Sequence, residues 1–292
     1  MNKFGYDFTS EQRRVLDRYI NFLSTLHLVF EKIPVVFERR RMAGHQATAL
    51  VADSRLNNAY FNVQSLLTLG MRVNEIKVLS SAHDKELKLF RQEALEITAR
   101  TSRREPLAEV DYRLFSFSRA ERWTLSPPKC VEDLIHELYL RSISIRSAIR
   151  QMVFKLSEVN QESFGVNAVF RRAMDHRSCQ CHDQPTVVQA LFQEASITPP
   201  WDLDYLSKDA SGRAAEYKAD IGSLFNAFSN LNSHLGLVAQ TLYQGVDNVV
   251  LELQRASYAQ SLGELNIRLN TANRTFEEGM ILLDDFDRWL RT

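Results

Sequence analysis

A single apolar stripe running from Tyr217 to Leu290 limits what this chain can fold into more than any other feature of its sequence. Apolar residues fall at Tyr217, Ile221, Leu224, Phe228, Leu231, Leu235, Val238 and Leu242, in steps of four and three that hold one face of a helix. The stripe takes one extra four-residue step to Val246, resumes through Val249, Leu253 and Ala256, slips, and continues through Leu262, Leu265, Leu269, Ala272 and Phe276 to Leu290. A four-residue insertion into a heptad pattern is a stutter, which a continuous helix tolerates. No proline occurs after Pro200. The expectation is one long, bent helix, with a hairpin of shorter antiparallel helices joined near Gly245 or Gly263 as the alternative.

Inside this stretch, Ile221 to Val246 contains no Asp, Glu, Lys or Arg, although 25% of the chain is charged. A helix face in water normally carries charge, so the gap predicts that protein or membrane covers the segment on most sides. Asn226, Asn230, Asn232, His234, Gln240 and Gln244 argue against a permanent membrane span. Leu224, Phe228, Leu231, Leu235, Val238 and Leu242 form the expected interaction seam.

Seven prolines punctuate the chain and leave proline-free tracts at 35–105, 129–184 and 201–292, all of helical period. Thr9 and Gln12 make a capping box ahead of a first helix. A second seam runs through Val73, Ile76, Ser80, His83, Leu87, Phe90, Ala94 and Ile97. Residues 105–126 read as a connector. Ser126 and Pro127 then predict an N-cap and first-turn proline for a third seam at Leu134, Leu138, Ser142, Ile145, Ile149, Met152, Leu156 and Val159, with a separate shorter helix from Phe164 to Met174. No alternating β pattern and no internal repeat is visible. The fold class is therefore all-α, an elongated helical bundle with long coiled-coil-like helices. The division is a helical region over 1–200 and a long C-terminal helix or hairpin over 201–292, packed as one continuous domain.

Thirty-six basic and 36 acidic residues cancel, which argues against a polyelectrolyte partner. Basic residues are in excess over 1–104 and acidic ones over 201–292. Arginine, at 27 against nine lysines, suits bidentate contacts to phosphate or carboxylate, and Arg39, Arg40, Arg41, Arg100, Arg103 and Arg104 are the candidate phosphate or partner contacts. Three cysteines make no disulfide framework, and with no leader-like segment the expected location is cytoplasmic or otherwise intracellular.

Four soft-metal donors, His176, Cys179, Cys181 and His182, fall within seven residues. Their spacing fits neither zinc fingers nor ribbons, so the expectation is no metal. His136 and Glu137 begin a zinc-protease pattern that Leu140 fails to close, and Asp133 with His136 lacks the second Glu-x-x-His of a di-iron bundle. Asp284, Asp285 and Asp287 are an acidic turn that could hold a cation, with solvation the plainer reading. His83 and His234 are expected as core or interface histidines. No phosphate-binding, dinucleotide-binding or nucleophile-elbow motif occurs, and no cofactor is expected.

The functional expectation is a non-enzymatic structural, assembly or protein-interaction protein that associates with itself or another protein. The alternatives are a membrane-active bundle that stores the 221–246 helix, and a nucleic-acid-packaging protein that uses the arginine clusters. Interior glycines at 222, 236, 245, 263 and 279 each cost about 1 kcal/mol against alanine, and so predict bends or close backbone approach.

Overall fold

Side-chain caps open two of the long helices in the structure, a computed structural model that describes residues 5–24, 62–119, 123–124, 126–175 and 210–292. Thr9 and Gln12 close the expected capping box: the Thr9 amide donates to Gln12 Oε1 at 2.9 Å and the Gln12 amide to Thr9 Oγ1 at 3.2 Å. Helix α1 follows over residues 10–24. Helix α2 is Leu69–Arg100, α3 is Val131–Asp175, α4 is Ala210–Ala256 and α5 is Leu262–Arg291. Three short 3₁₀ turns, Leu107–Glu109, Tyr112–Leu114 and Ser116–Arg119, lie in the connector. Among the described residues there is no strand, only an isolated bridge between Pro106 and Ser261, and the fold is all-α.

Three boundaries differ from the sequence expectation. Helix α3 begins at Val131 rather than at Pro127. A residue followed by proline is pushed out of the helical region, so Pro128 bars Pro127 from the first turn. Asp133 instead accepts the Lys129 amide at 2.8 Å. The separate helix expected from Phe164 is the C-terminal part of an unbroken α3.

The expected single helix over 217–290 is two helices, broken at 257–261. Gly245 lies inside α4, so the chain turns next to Gly263. Ser257 Oγ bonds back to the Gln254 carbonyl at 2.8 Å, and the Tyr258 and Ala259 amides close tight turns on Arg255 and Ala256. Ser261 then caps α5, accepting from the Glu264 amide, while Glu264 Oε2 accepts from the Gln260 amide at 3.2 Å. The slip in the apolar stripe is a chain reversal.

The connector docks on this reversal through main-chain atoms. The Leu107 amide donates to the Gln260 carbonyl at 3.1 Å, the Leu262 amide to Glu105 at 3.1 Å, and the Gly263 amide to Arg103 at 2.9 Å. A Cβ on Gly263 would meet the Arg103 carbonyl oxygen at 2.8 Å, so this glycine marks a close backbone approach. Gly236, Gly245 and Gly279 have open space where a Cβ would go.

The chain falls into two compact units. One comprises 1–8, 70–154 and 237–292, the other 9–69 and 155–236, so α3 and α4 each contribute a segment to both. In the first unit, pairs between α2 and α5 run in opposite directions: Asn74 with Arg291, Lys77 with Asp284 and Asp287, Lys88 with Glu277, Arg91 with Asn270, and Thr98 with Asn266. His83 and Glu86 of α2 meet Ser142 and Arg141 of α3, again antiparallel. Arg146 joins Asp247 of α4 at 2.7 Å, and Glu252 joins Arg268 of α5 at 3.3 Å. These contacts close a ring of four antiparallel neighbours, the up-down-up-down bundle. Every residue of the second seam is buried, from Val73 to Ile97. Near the N-terminus, Tyr6 Oη shares a 2.8 Å hydrogen bond with Thr241 Oγ1, and the Phe8 ring stacks on Phe286 at 5.6 Å.

In the second unit, Tyr19 of α1 stacks on Phe228 of α4 with ring centroids 3.5 Å apart and meets Phe225 edge-on at 5.6 Å. Phe22 also meets Phe225 edge-on. Asn232, buried on α4, donates through Nδ2 to the Leu156 carbonyl of α3 at 3.0 Å.

Candidate functional site

The six seam residues Leu224, Phe228, Leu231, Leu235, Val238 and Leu242 are all buried within the chain. Tyr19 stacks flat on the Phe228 ring. The uncharged tract that carries this seam is more open than its composition suggests: Ser223, Asn226, Asn230, Ser233, Leu237 and Gln244 are exposed. Small amides and hydroxyls solvate that face without charge, so it is not enclosed on most sides. A surface cavity of about 330 Å³ opens on it in the second unit, lined by Ser163, Phe164, Phe225, Asn226, Ser229 and Asn230.

Arg39, Arg40 and Arg41 lie outside the described residues, as do His176, Cys179, Cys181 and His182. Arg100, Arg103 and Arg104 are exposed at the end of α2 and in the turn beyond it. Arg100 reaches Glu96 only at 4.0 Å, and Arg103 contributes a main-chain carbonyl to the docked connector. Among the described residues, no group of three or more His, Cys, Asp or Glu side chains is placed to hold a metal. Asp284 and Asp287 close on Lys77, each at 2.9 Å, while Asp285 pairs with Arg288 at 3.5 Å. The acidic turn thus has a cation already, supplied by α2. Hydrogen bonds donated to both carboxylates hold the Lys77 ammonium above its usual range. Burial works against the charged form of Asp287, but bonds from Lys77 and Arg291 outweigh it and lower its pKa.

Two polar arrangements inside the first unit were not apparent as pairs in the sequence. His83 and Ser142, both on predicted seams, form one: Nε2 and Oγ are 2.8 Å apart, fully buried, with the ring edge-on to Phe276 at 5.2 Å. Among the described residues His83 Nδ1 has no hydrogen-bond partner. Burial, reinforced by the nearby Arg141 charge, lowers the His83 pKa to about 4, so the imidazole is neutral at pH 7. Enclosed in this way, the pair orders the core rather than meeting a substrate. The second arrangement is built on Glu137, which accepts from the Thr124 amide at 2.9 Å, from Thr124 Oγ1 at 2.7 Å and from Arg141 at 2.9 Å. Arg141 also reaches Glu86 and lies 5.1 Å from the centre of the Phe117 ring. Burial raises the Glu137 pKa less than these bonds lower it, so the carboxylate stays ionised and ties the connector to α3. Cys130, half-buried, has its thiol pushed up to about 11, first by burial, and is not a reactive thiolate.

The outer face of α2 carries a pattern that the sequence reading passed over. Met71, Glu75, Val78, Ala82, Lys85, Leu89, Gln92 and Glu96 recur in steps of four and three, and all are exposed. Met71 and Val78 are 61% and 63% exposed, with Leu79 and Leu95 beside them at 48% and 39%. The signal was present as a second heptad register on the helix whose inner register was read. Among the described residues no helix is long and apolar enough to cross a membrane. No family model, curated protein or solved structure matches this chain.

Proposed function

We propose that the chain is a non-enzymatic assembly protein whose helices associate with a protein partner, a second copy of itself included. The observation that carries this reading is the outward register of α2, which keeps Met71, Val78 and Leu89 in water while the inner register fills the core. Single exposed apolar residues are ordinary on a protein surface, but a run of them at heptad spacing along one helix is the pattern by which helices pair. The same helix is tied into its own bundle by five residues that make polar or ionic links to α5, so it presents a stiff edge rather than a loose one.

Light scattering on the full chain from about 1 to 100 μM, the range of weak specific association, tests the reading. A mass that rises with concentration supports it. A monodisperse monomer throughout overturns self-assembly. Leakage of dye-loaded anionic liposomes, or a salt-dependent RNA shift, would replace it with one of the alternative functions.

A further inference from the structure

We propose that the outer face of α2 pairs with the same face of a second copy of this chain, in antiparallel register with Val78 opposite Leu89. This inference rests on the assembly reading and names its partner and geometry. The eight exposed positions from Met71 to Glu96 follow an unbroken heptad spacing, so they form a straight seam of the kind that two helices share. Three of them are charged, and those charges choose the orientation. In a parallel, in-register pair, Glu75 would face Glu75, Lys85 would face Lys85 and Glu96 would face Glu96 of the two copies. Like charges at facing seam positions repel, and each pair would be partly removed from water.

Reversing one helix removes all three conflicts at once. About a two-fold axis midway between Ala82 and Lys85, Val78 meets Leu89, Ala82 lies under the aliphatic stem of Lys85, Glu75 meets Gln92 and Glu96 meets Met71 of the other copy. Each ammonium or carboxylate then faces an apolar or amide group and keeps its charged end at the solvent edge. On one flank Arg72 comes within two residues, about 3 Å along the axis, of Glu93 of the other copy, whose carboxylate also accepts from the Ser116 amide and hydroxyl of its own chain, and the two-fold axis makes this opposite-charge pair twice. A two-fold contact is self-complementary and closed, so it predicts a dimer and not a filament. With only Met71, Val78, Ala82 and Leu89 as its apolar centre, it is a small contact, at the weak end of specific association.

Interchain disulfide formation tests the register in the full chain, with Cys130, Cys179 and Cys181 replaced by serine. Val78→Cys and Leu89→Cys are made in separate proteins. Under mild oxidation the mixture is expected to give cross-linked dimer, while each protein alone gives several-fold less. At about 1.5 Å per residue, two copies of position 78 lie about 16 Å apart along the antiparallel pair, beyond disulfide reach. Val78→Glu with Leu89→Glu is expected to weaken association at least tenfold with unchanged helical circular dichroism, since both sites are exposed in the single chain. Cross-linking of each protein alone as efficiently as the mixture overturns the antiparallel register. Concentration-dependent mass that the glutamate variant leaves intact overturns this face but spares the assembly reading. A wild-type chain that stays monomeric overturns this pairing and self-assembly together, and confines the assembly reading to a different protein partner.

Discussion

Two glycines on one helix predict opposite responses to the same change. At Gly263 a methyl group would meet the Arg103 carbonyl at 2.8 Å, so Gly263→Ala is expected to destabilise by about 1–3 kcal/mol through displaced backbone. At Gly279 nothing lies within 4 Å of the same position, so Gly279→Ala should stabilise by about 0.5–1 kcal/mol through helix propensity alone. Urea midpoints of the two variants check the pair. The composition said only that these glycines were there for bends or close approach, because which one faces another backbone depends on contacts remote in sequence. His83 predicts a pH response. Its unfolded pKa is near 6.5 and its folded pKa about 4, so between those values only the unfolded chain holds the proton. Stability should therefore fall as pH drops from about 7 to 5, by about 2 kcal/mol from this group. His83→Gln should start lower and lose that slope, as denaturant titrations at the two pH values would reveal. That His83 is a core histidine was legible from its place in the apolar period; Ser142 as its partner was not, because the period places a residue on a face without saying what stands opposite.

Helices were legible where a capping box or an apolar period spoke alone, and misread where two local signals competed. Thr9 with Gln12 predicted the start of α1 and the structure has both bonds. Ser126 with Pro127 looked equally good, but the following Pro128 overrides it, and the carboxylate that caps α3 is Asp133, deeper in the chain. Ser261 with Glu264 has the same spacing in the middle of the longest proline-free tract, where the continuity of the stripe hides it, and there Glu264 accepts from the Gln260 amide. Ser261→Ala should cost about 1 kcal/mol, measured as a lower melting temperature with the fold unchanged. Leu231 tests the other half of that tract. It is 4% exposed, so Leu231→Glu forces a carboxylate among α4's buried neighbours and should destabilise by several kcal/mol. A glutamate variant with wild-type urea stability would contradict that placement.

At the scale of the molecule, the all-α class followed directly from the periodicity, and a far-UV circular dichroism spectrum should show the double minimum of helix with little strand signal. The surface was far less legible than the core. The uncharged run from Ile221 to Val246 looked enclosed, yet hydroxyls and amides such as Ser223, Asn226 and Asn230 face solvent, because a helix face can be hydrated without ionic groups. The outward register of α2 is hidden in the sequence for a related reason: Glu75, Lys85 and Glu96 interrupt its apolar residues and make it resemble an ordinary wet surface. The connector raises a further matter for anyone who surveys this protein by mutagenesis. Its attachment at Arg103, Glu105 and Gln260 uses carbonyl oxygens, which every amino acid possesses. An alanine scan would leave those three acceptors in place and score the positions as silent, although the turn between α4 and α5 leans on all of them. Replacing the donating amides at Leu107, Leu262 or Gly263 by backbone esters would expose the attachment that side-chain replacement conceals.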